Sequence, residues 1–91
     1  MTDYVNQAMR QNGCELVSKI EFPARGFNAA MAVVIAYRND NPYHPFVVWK
    51  VNLQCGGAFS GGYYEHLRDA WADYDERVRR EIKANGGEIA A

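Results

Sequence analysis

The sequence lacks an excess of charge of either sign. Ten lysine and arginine residues stand against eleven aspartate and glutamate residues, which gives a formal net charge of −1. Such a balance provides no overall positive field to attract nucleic acid or an anionic membrane. No run approaches the roughly 20 apolar residues of a membrane span, and the N-terminus has no basic segment followed by an apolar one. We therefore expect a cytoplasmic protein that makes no membrane contact.

The sequence also has few residues of the kinds that build metal or redox sites. Its two cysteines, Cys14 and Cys55, and its two histidines, His44 and His66, fit no paired-cysteine or H-E-x-x-H spacing. In the cytoplasm both cysteines are expected as thiols. No signature places a base beside a nucleophile, so an enzyme that uses Cys55 or His66 is only the third function class. We expect no enzyme activity, no metal and no cofactor.

The rest of the sequence alternates between strand and helix patterns over 91 residues, the length of one domain. Turn residues separate four short apolar segments, and helical patterns precede and follow them. We predict an α+β fold: an antiparallel β-meander of three to four strands, with a short N-terminal helix and a long C-terminal helix packed on one face. The predicted ranges are 2–12 for the short helix, 14–64 for the sheet, 66–85 for the long helix and 86–91 for a flexible tail.

The C-terminal helix has the clearest pattern. Its apolar residues recur every three or four positions, as on the buried face of a helix. They are Leu67, Ala70, Trp71, Tyr74, Val78 and Ile82. On its other faces, acidic residues stand four positions before arginines, an arrangement that stabilises helices and predicts a solvated surface of ion pairs. The pairs are Asp73–Arg77, Asp75–Arg79 and Glu76–Arg80.

Cap and turn signals bound the N-terminal helix and the first strand. Thr2 is a good N-cap, and Asn12-Gly13 is typical of a left-handed helix end. From Cys14 onwards apolar and polar residues alternate, which predicts a half-exposed strand. In a meander, Cys14 and Cys55 lie at opposite ends of the sheet, too far apart for a disulfide. The inward residues of this strand are predicted to be Cys14, Leu16, Ile20 and Phe22.

The second strand carries large side chains on one face and small ones on the other. We expect the long helix to cover the face where Trp49 and Trp71 should meet. The opposite face then presents an apolar strip, which either the short helix covers or a partner contacts, because large exposed apolar patches mark interfaces. This apolar strip consists of Ala30, Ala32, Val34, Ala36, Phe46 and Val48. We expect a homodimer or a partner complex across it.

Tyrosines and glycine pairs mark the second half of the sheet. Tyr43, Tyr63 and Tyr64 are further candidates for partner binding, since tyrosine is enriched at interface hot spots. The pair Gly61-Gly62 inside a strand pattern predicts a β-bulge or a close approach of another group to the backbone. The same tyrosines define the alternative function, a small nucleic-acid-binding protein. The basic residues of that alternative are Arg77, Arg79 and Arg80.

The segment Phe46–Arg80 contains Val-Val-Trp, then Gly-Gly-Tyr-Tyr-Glu, then a helix of the type Leu-x-x-Ala-x-x-Asp-aromatic-x-x-Arg at Leu67–Arg77. In this order it resembles small uncharacterised proteins of phages and plasmids, and it departs from them at His66, where a Thr or Ser cap is usual. Several mobile-element proteins of this size inhibit bacterial defence, among them anti-CRISPR proteins. The resemblance therefore implies such an inhibitor in the host cytoplasm, and it assigns no residue a role.

These observations lead to one principal hypothesis. The chain is expected to be a non-enzymatic protein-binding module, most concretely a mobile-element-encoded inhibitor of a bacterial defence system. It would act by occluding a surface of its protein target.

Overall fold

The computed structural model describes residues 3–25 and 29–84. The four strands form one antiparallel sheet in the order β1-β2-β3-β4, with α1 on one face and α2 on the other. The predicted α+β class and the meander are therefore confirmed. The N-cap of α1 is Asp3, so the N-cap predicted at Thr2 is wrong, and the tail predicted at 86–91 lies outside the described residues. The elements are α1 (Tyr4–Gln11), β1 (Glu15–Phe22), β2 (Met31–Tyr37), β3 (Phe46–Asn52), β4 (Ala58–Tyr64) and α2 (Leu67–Ala84).

Local hydrogen bonds define both ends of α1. The N-cap is Asp3, whose side chain accepts a hydrogen bond from a backbone N–H of the first turn. At the other end Gly13 has a φ of +65°, and its N–H donates to the carbonyl of Arg10 at 3.3 Å. The N–H of Cys14 donates to the carbonyl of Met9 at 2.9 Å, which completes a Schellman motif. The predicted stop at Gly13 is confirmed.

The pairing of β2 with β3 sorts the apolar side chains into two clusters. Val34 lies opposite Trp49, and directly opposed residues of an antiparallel pair share a face of the sheet. One cluster lies under α1 and contains Val5, Ala8, Met9, Ala32, Val34, Ala36, Val47, Trp49 and Val51. The other lies under α2 and contains Phe22, Val33, Ile35, Val48, Ala70, Tyr74 and Val78.

The apolar strip is not an exposed surface, and for its β2 residues the structure shows the alternative of cover by the short helix. The strip residues of β2 lie under α1, whereas those of β3 belong to the α2 side, so the two sets never share a face. Because the β2 side chains are small, the eight-residue α1 comes close enough to bury them. A homodimer across this strip would therefore have little exposed surface to use. Ala32, Val34, Ala36 and Val48 are fully buried, and Ala30 and Phe46 are partly buried.

The prediction that Trp49 and Trp71 meet in one core is also wrong. Trp49 is 6% exposed beneath α1. Trp71 is 37% exposed on α2, where its ring lies edge-on to that of Tyr74 with centroids 5.3 Å apart. The sheet separates the two tryptophans, because the register places Trp49 on the face away from α2.

A bulge at Val17 divides β1 between the two faces. Leu16 pairs with Ala36 on the α1 side, whereas Ser18 pairs with Ile35 on the α2 side. The extra residue reverses the alternation. The single inward face predicted for this strand is therefore wrong, with Cys14 and Leu16 on the α1 side and Ile20 and Phe22 on the α2 side.

Tyr74 anchors α2 more strongly than Trp71 does. Tyr74 is 3% exposed, and its hydroxyl lies 3.3 Å from that of Ser18. We predict that Tyr74→Ala lowers the free energy of unfolding by about 3–5 kcal/mol, as expected for loss of a buried ring. Trp71→Ala should cost only about 1–2 kcal/mol, because less apolar area is involved. Urea unfolding measures both, and equal losses would contradict this assignment.

Candidate interaction surface beside strand β4

Strand β4 contains a bulge at Ser60–Gly61. The register between β3 and β4 shifts so that these two residues together face Trp49. Ser60 has a φ of +58°, an uncommon conformation for a residue with a side chain. A Cβ on Gly61 would lie 2.8 Å from Nε1 of Trp49, so glycine lets the indole approach the backbone. Both the bulge and the close approach predicted from the glycine pair are confirmed.

A hydrogen-bond network fastens α2 to this bulge. The Tyr64 hydroxyl donates to Asp73 Oδ2 at 2.5 Å, and Arg77 Nε donates to Asp73 Oδ1 at 2.8 Å. Arg77 Nη1 donates in turn to the carbonyl of Ser60. A Cβ on Gly62 would lie 2.7 Å from Asp73 Oδ2, so the carboxylate needs glycine beneath it. Tyr64 is partly buried and its hydroxyl holds α2 to the sheet, while partner binding through Tyr64 stays a prediction.

The network changes the acidity of its members. Desolvation by burial raises the pKa of Asp73, but the hydrogen bonds from Arg77 and Tyr64 outweigh it and bring the pKa below the ordinary value of 3.8. The hydrogen bond to Asp73 raises the pKa of the Tyr64 hydroxyl, and burial adds to the effect. The ionised carboxylate with the neutral phenol is therefore the favoured state at neutral pH.

The network should make stability depend on acid pH. Because the folded state lowers the pKa of Asp73, its contribution to stability is fully present above the ordinary pKa and is lost as the pH falls through the folded pKa. We predict that wild type loses more stability than Asp73→Asn as the pH falls from about 5 to about 2. Urea unfolding at each pH measures the difference. Parallel profiles for the two proteins would contradict the role of Asp73.

On the α1 side of the sheet, beyond α1 itself, an arginine stacks on an exposed tyrosine. Tyr63 is 49% exposed. The guanidinium carbon of Arg38 lies 4.9 Å from the centre of its ring, within the range of a cation–π contact. Arg38 Nη2 also donates to the carbonyl of His44 at 3.4 Å, while its buried Nε has no hydrogen-bond partner among the described residues. The stack orders a long side chain at the surface.

The loop between β2 and β3 places a second tyrosine nearby. Val47 pairs with Tyr63, so Tyr63 lies beside this loop. The side-chain oxygen of Asn41 accepts hydrogen bonds from the N–H groups of Tyr43 and His44, at 3.2 and 3.0 Å. Tyr43 is 77% exposed. We call Arg38, Tyr43, His44 and Tyr63 the Arg38–Tyr63 surface.

Two members of this surface, Tyr43 and Tyr63, were predicted from the sequence as partner-binding residues, whereas Arg38 was not. Arg38 follows the last residue of β2, and its side chain crosses β3 to reach β4. That contact depends on the strand order, and the arginine stands in a turn-rich segment with no distinguishing pattern.

The arginines of the nucleic-acid alternative are not one free basic patch. Arg77 is held by Asp73 and the carbonyl of Ser60, and Arg80 forms an ion pair with Glu76. These are two of the three predicted pairs. The third, between Asp75 and Arg79, does not form. Only the Arg80–Glu76 pair is solvated as predicted, because the side chains of Arg77 and Asp73 are mostly buried.

We predict that these arginines do not confer nucleic-acid binding. Retention of DNA or RNA at low salt should be the same for wild type and for the double variant Arg79→Glu/Arg80→Glu. These two changes leave the hydrogen bonds of Asp73 with Tyr64 and Arg77 in place. Fluorescence anisotropy with single- and double-stranded probes measures it. Micromolar binding that weakens steeply with salt and disappears in the variant would favour the alternative function.

The cysteines and histidines do not lie together in a common site. Cys14 and Cys55 are free thiols at opposite ends of the sheet, as the meander predicted. Burial raises the pKa of Cys14, with Arg38 opposing it, so the thiolate is disfavoured. Cys55 precedes β4 and His66 follows it, which separates them by the length of that strand. Within 3–25 and 29–84, no three His, Cys, Asp or Glu residues are grouped to hold a metal.

Comparison with known proteins identifies no relative of this chain. No protein family, curated protein or solved structure matches the chain. Across the part of the chain that the structure describes, no helix is both long and apolar enough to cross a membrane.

Proposed function

We propose that the protein is a non-enzymatic protein-binding module that binds its partner through the Arg38–Tyr63 surface. The observation that carries the proposal is the exposed Tyr63 ring with the Arg38 guanidinium stacked on it. Tyrosine and arginine are the residue types enriched where binding energy concentrates in protein interfaces. The almost neutral net charge also fits a protein partner better than a polyanion.

The geometry supports this proposal because the surface is ordered before binding. Tyr63 lies on a strand, and Arg38 is stacked on its ring. Asn41 holds the neighbouring loop through two hydrogen bonds. Less conformational entropy is then lost when a partner binds, which favours affinity.

The most concrete form of the proposal is an inhibitor of a bacterial defence system encoded by a mobile element. Its support is the resemblance of Phe46–Arg80 to small phage and plasmid proteins. An inhibitor of this kind acts by covering a surface of its target, so exposed side chains matter more than an enclosed site. The Arg38–Tyr63 surface provides such side chains.

Substitution of the two tyrosines tests the binding surface. We predict that Tyr43→Ser/Tyr63→Ser loses a partner that wild type captures from a bacterial lysate, with affinity falling at least about tenfold. The matched control is Phe59→Ser, which removes another exposed aromatic of β4. Phe59 pairs with Lys50, whose ammonium contacts Glu81 of α2, so it lies on the other face. Equal capture by both variants would contradict the proposed surface.

A phage assay tests the inhibitor itself. Bacteria with an active CRISPR system directed at a phage are infected while they express wild type, the double tyrosine variant or Phe59→Ser. Wild type and Phe59→Ser should restore plaque formation, and the double variant should not. If the protein captures a partner but does not restore plaque formation, the proposal of a binding module is retained. Inhibition of that defence system is then refuted.

A further inference from the structure

The two edges of the sheet differ in how they are protected. β1 carries three charged residues, Glu15, Lys19 and Glu21, and Lys19 Nζ lies 2.6 Å from a Glu21 carboxylate oxygen. β4 reads AFSGGYY and carries no charge and no proline. Charged side chains on an edge strand hinder pairing with another chain. By this criterion β1 is protected against pairing with a strand of another chain, and β4 is less protected.

The part of β4 that can accept another strand begins at Gly61, the second residue of its bulge. At the bulge, the carbonyl of Ser60 already accepts a hydrogen bond from Arg77. This carbonyl is therefore less available to pair with an added strand. From Gly61 to Tyr64, no described element pairs with the outer edge of β4. Gly61 and Gly62 present no side chains to obstruct an approaching backbone. Tyr63 itself is exposed, so its side of the sheet is also accessible beside the edge of β4.

We propose that the edge of β4 from Gly61 to Tyr64 accepts an extended segment of the protein partner as a fifth strand, with an acidic side chain next to Arg38. This inference rests on the proposed function and gives its binding mode. The alternating N–H and C=O groups of a strand edge are matched by another extended backbone. A residue opposite Tyr63 shares its face of the sheet, and the Arg38 guanidinium over the Tyr63 ring favours a carboxylate at that place.

A synthetic peptide tests strand addition without knowledge of the partner. The probe is the blocked peptide Thr-Val-Thr-Val-Glu-Val-Thr-Val-Thr, titrated into ¹⁵N-labelled protein and followed by amide chemical shifts. We expect saturable shifts centred on Gly61–Tyr64 and Arg38. A peptide N-methylated at consecutive central residues has no usable edge and should not bind. A peptide with lysine in place of glutamate should bind about threefold more weakly, as for loss of one exposed ion pair.

Matched variants on the two edges locate the site. Tyr63→Lys gives β4 the kind of charge that β1 carries, and should weaken peptide binding at least about tenfold. Val17→Lys places the same charge at an exposed position of β1 and should change the affinity less than about twofold, as surface changes away from a contact do. Thermal melts check that both variants fold. Shifts centred on β1, absence of saturable shifts, or binding by the N-methylated peptide would overturn the proposal.

Two further measurements separate this inference from the function it rests on. If a captured partner is not displaced by saturating peptide, the binding module stands and strand addition to β4 is refuted. If sedimentation of the free protein shows a dimer that Tyr63→Lys dissociates, a second copy occupies the edge and the proposed partner strand is wrong. A partner lost with Tyr43→Ser/Tyr63→Ser and displaced by the peptide supports both proposals.

Discussion

The register of β2 against β3 decides what each helix covers. Both strands carry apolar residues on both faces, so one residue of slip would move every side chain of the slipping strand to the other face of the sheet. The turn at their common end holds the register: the N–H of Arg38 donates to the carbonyl of Pro45 at 2.7 Å. With Val34 opposite Trp49, small residues and one large ring lie under α1. Aliphatic residues are left for α2, whose Tyr74 fills the space above them.

The exposed surface follows from the same arrangement. A helix is about 10 Å wide and so spans about two strand spacings of a sheet. α1 lies over β1 and β3, with the strand between them beneath it, and leaves Tyr63 of β4 exposed. Tyr63 is left uncovered on that side, and Arg38 partly fills the gap by lying on its ring. On the other face, the Asp73 network holds β4 to α2, so the uncovered strand remains fixed to the core.

The sequence predicted the elements better than their contacts. The three-to-four-residue repeat on α2 identified Ala70, Tyr74 and Val78 correctly, since helical period depends only on local spacing. It could not show that Trp71 lies at the margin of the buried stripe, because the position of the helix axis over the sheet sets that boundary. Strand alternation failed at Val17, where an extra residue leaves no mark in an apolar-polar pattern. Arg38 had no local signal because its partner, Tyr63, lies two strands away.

The separation of Trp49 from Trp71 gives each face of the sheet its own optical reporter. Trp49 is shielded beneath α1, whereas Trp71 lies partly in water beside Tyr74. Their fluorescence therefore differs in polarity and in quenching by solutes. With one tryptophan replaced by phenylalanine, the emission of the other follows the docking of a single helix. The question of whether the two layers of this small domain melt together or in succession is thus open to measurement without any added label.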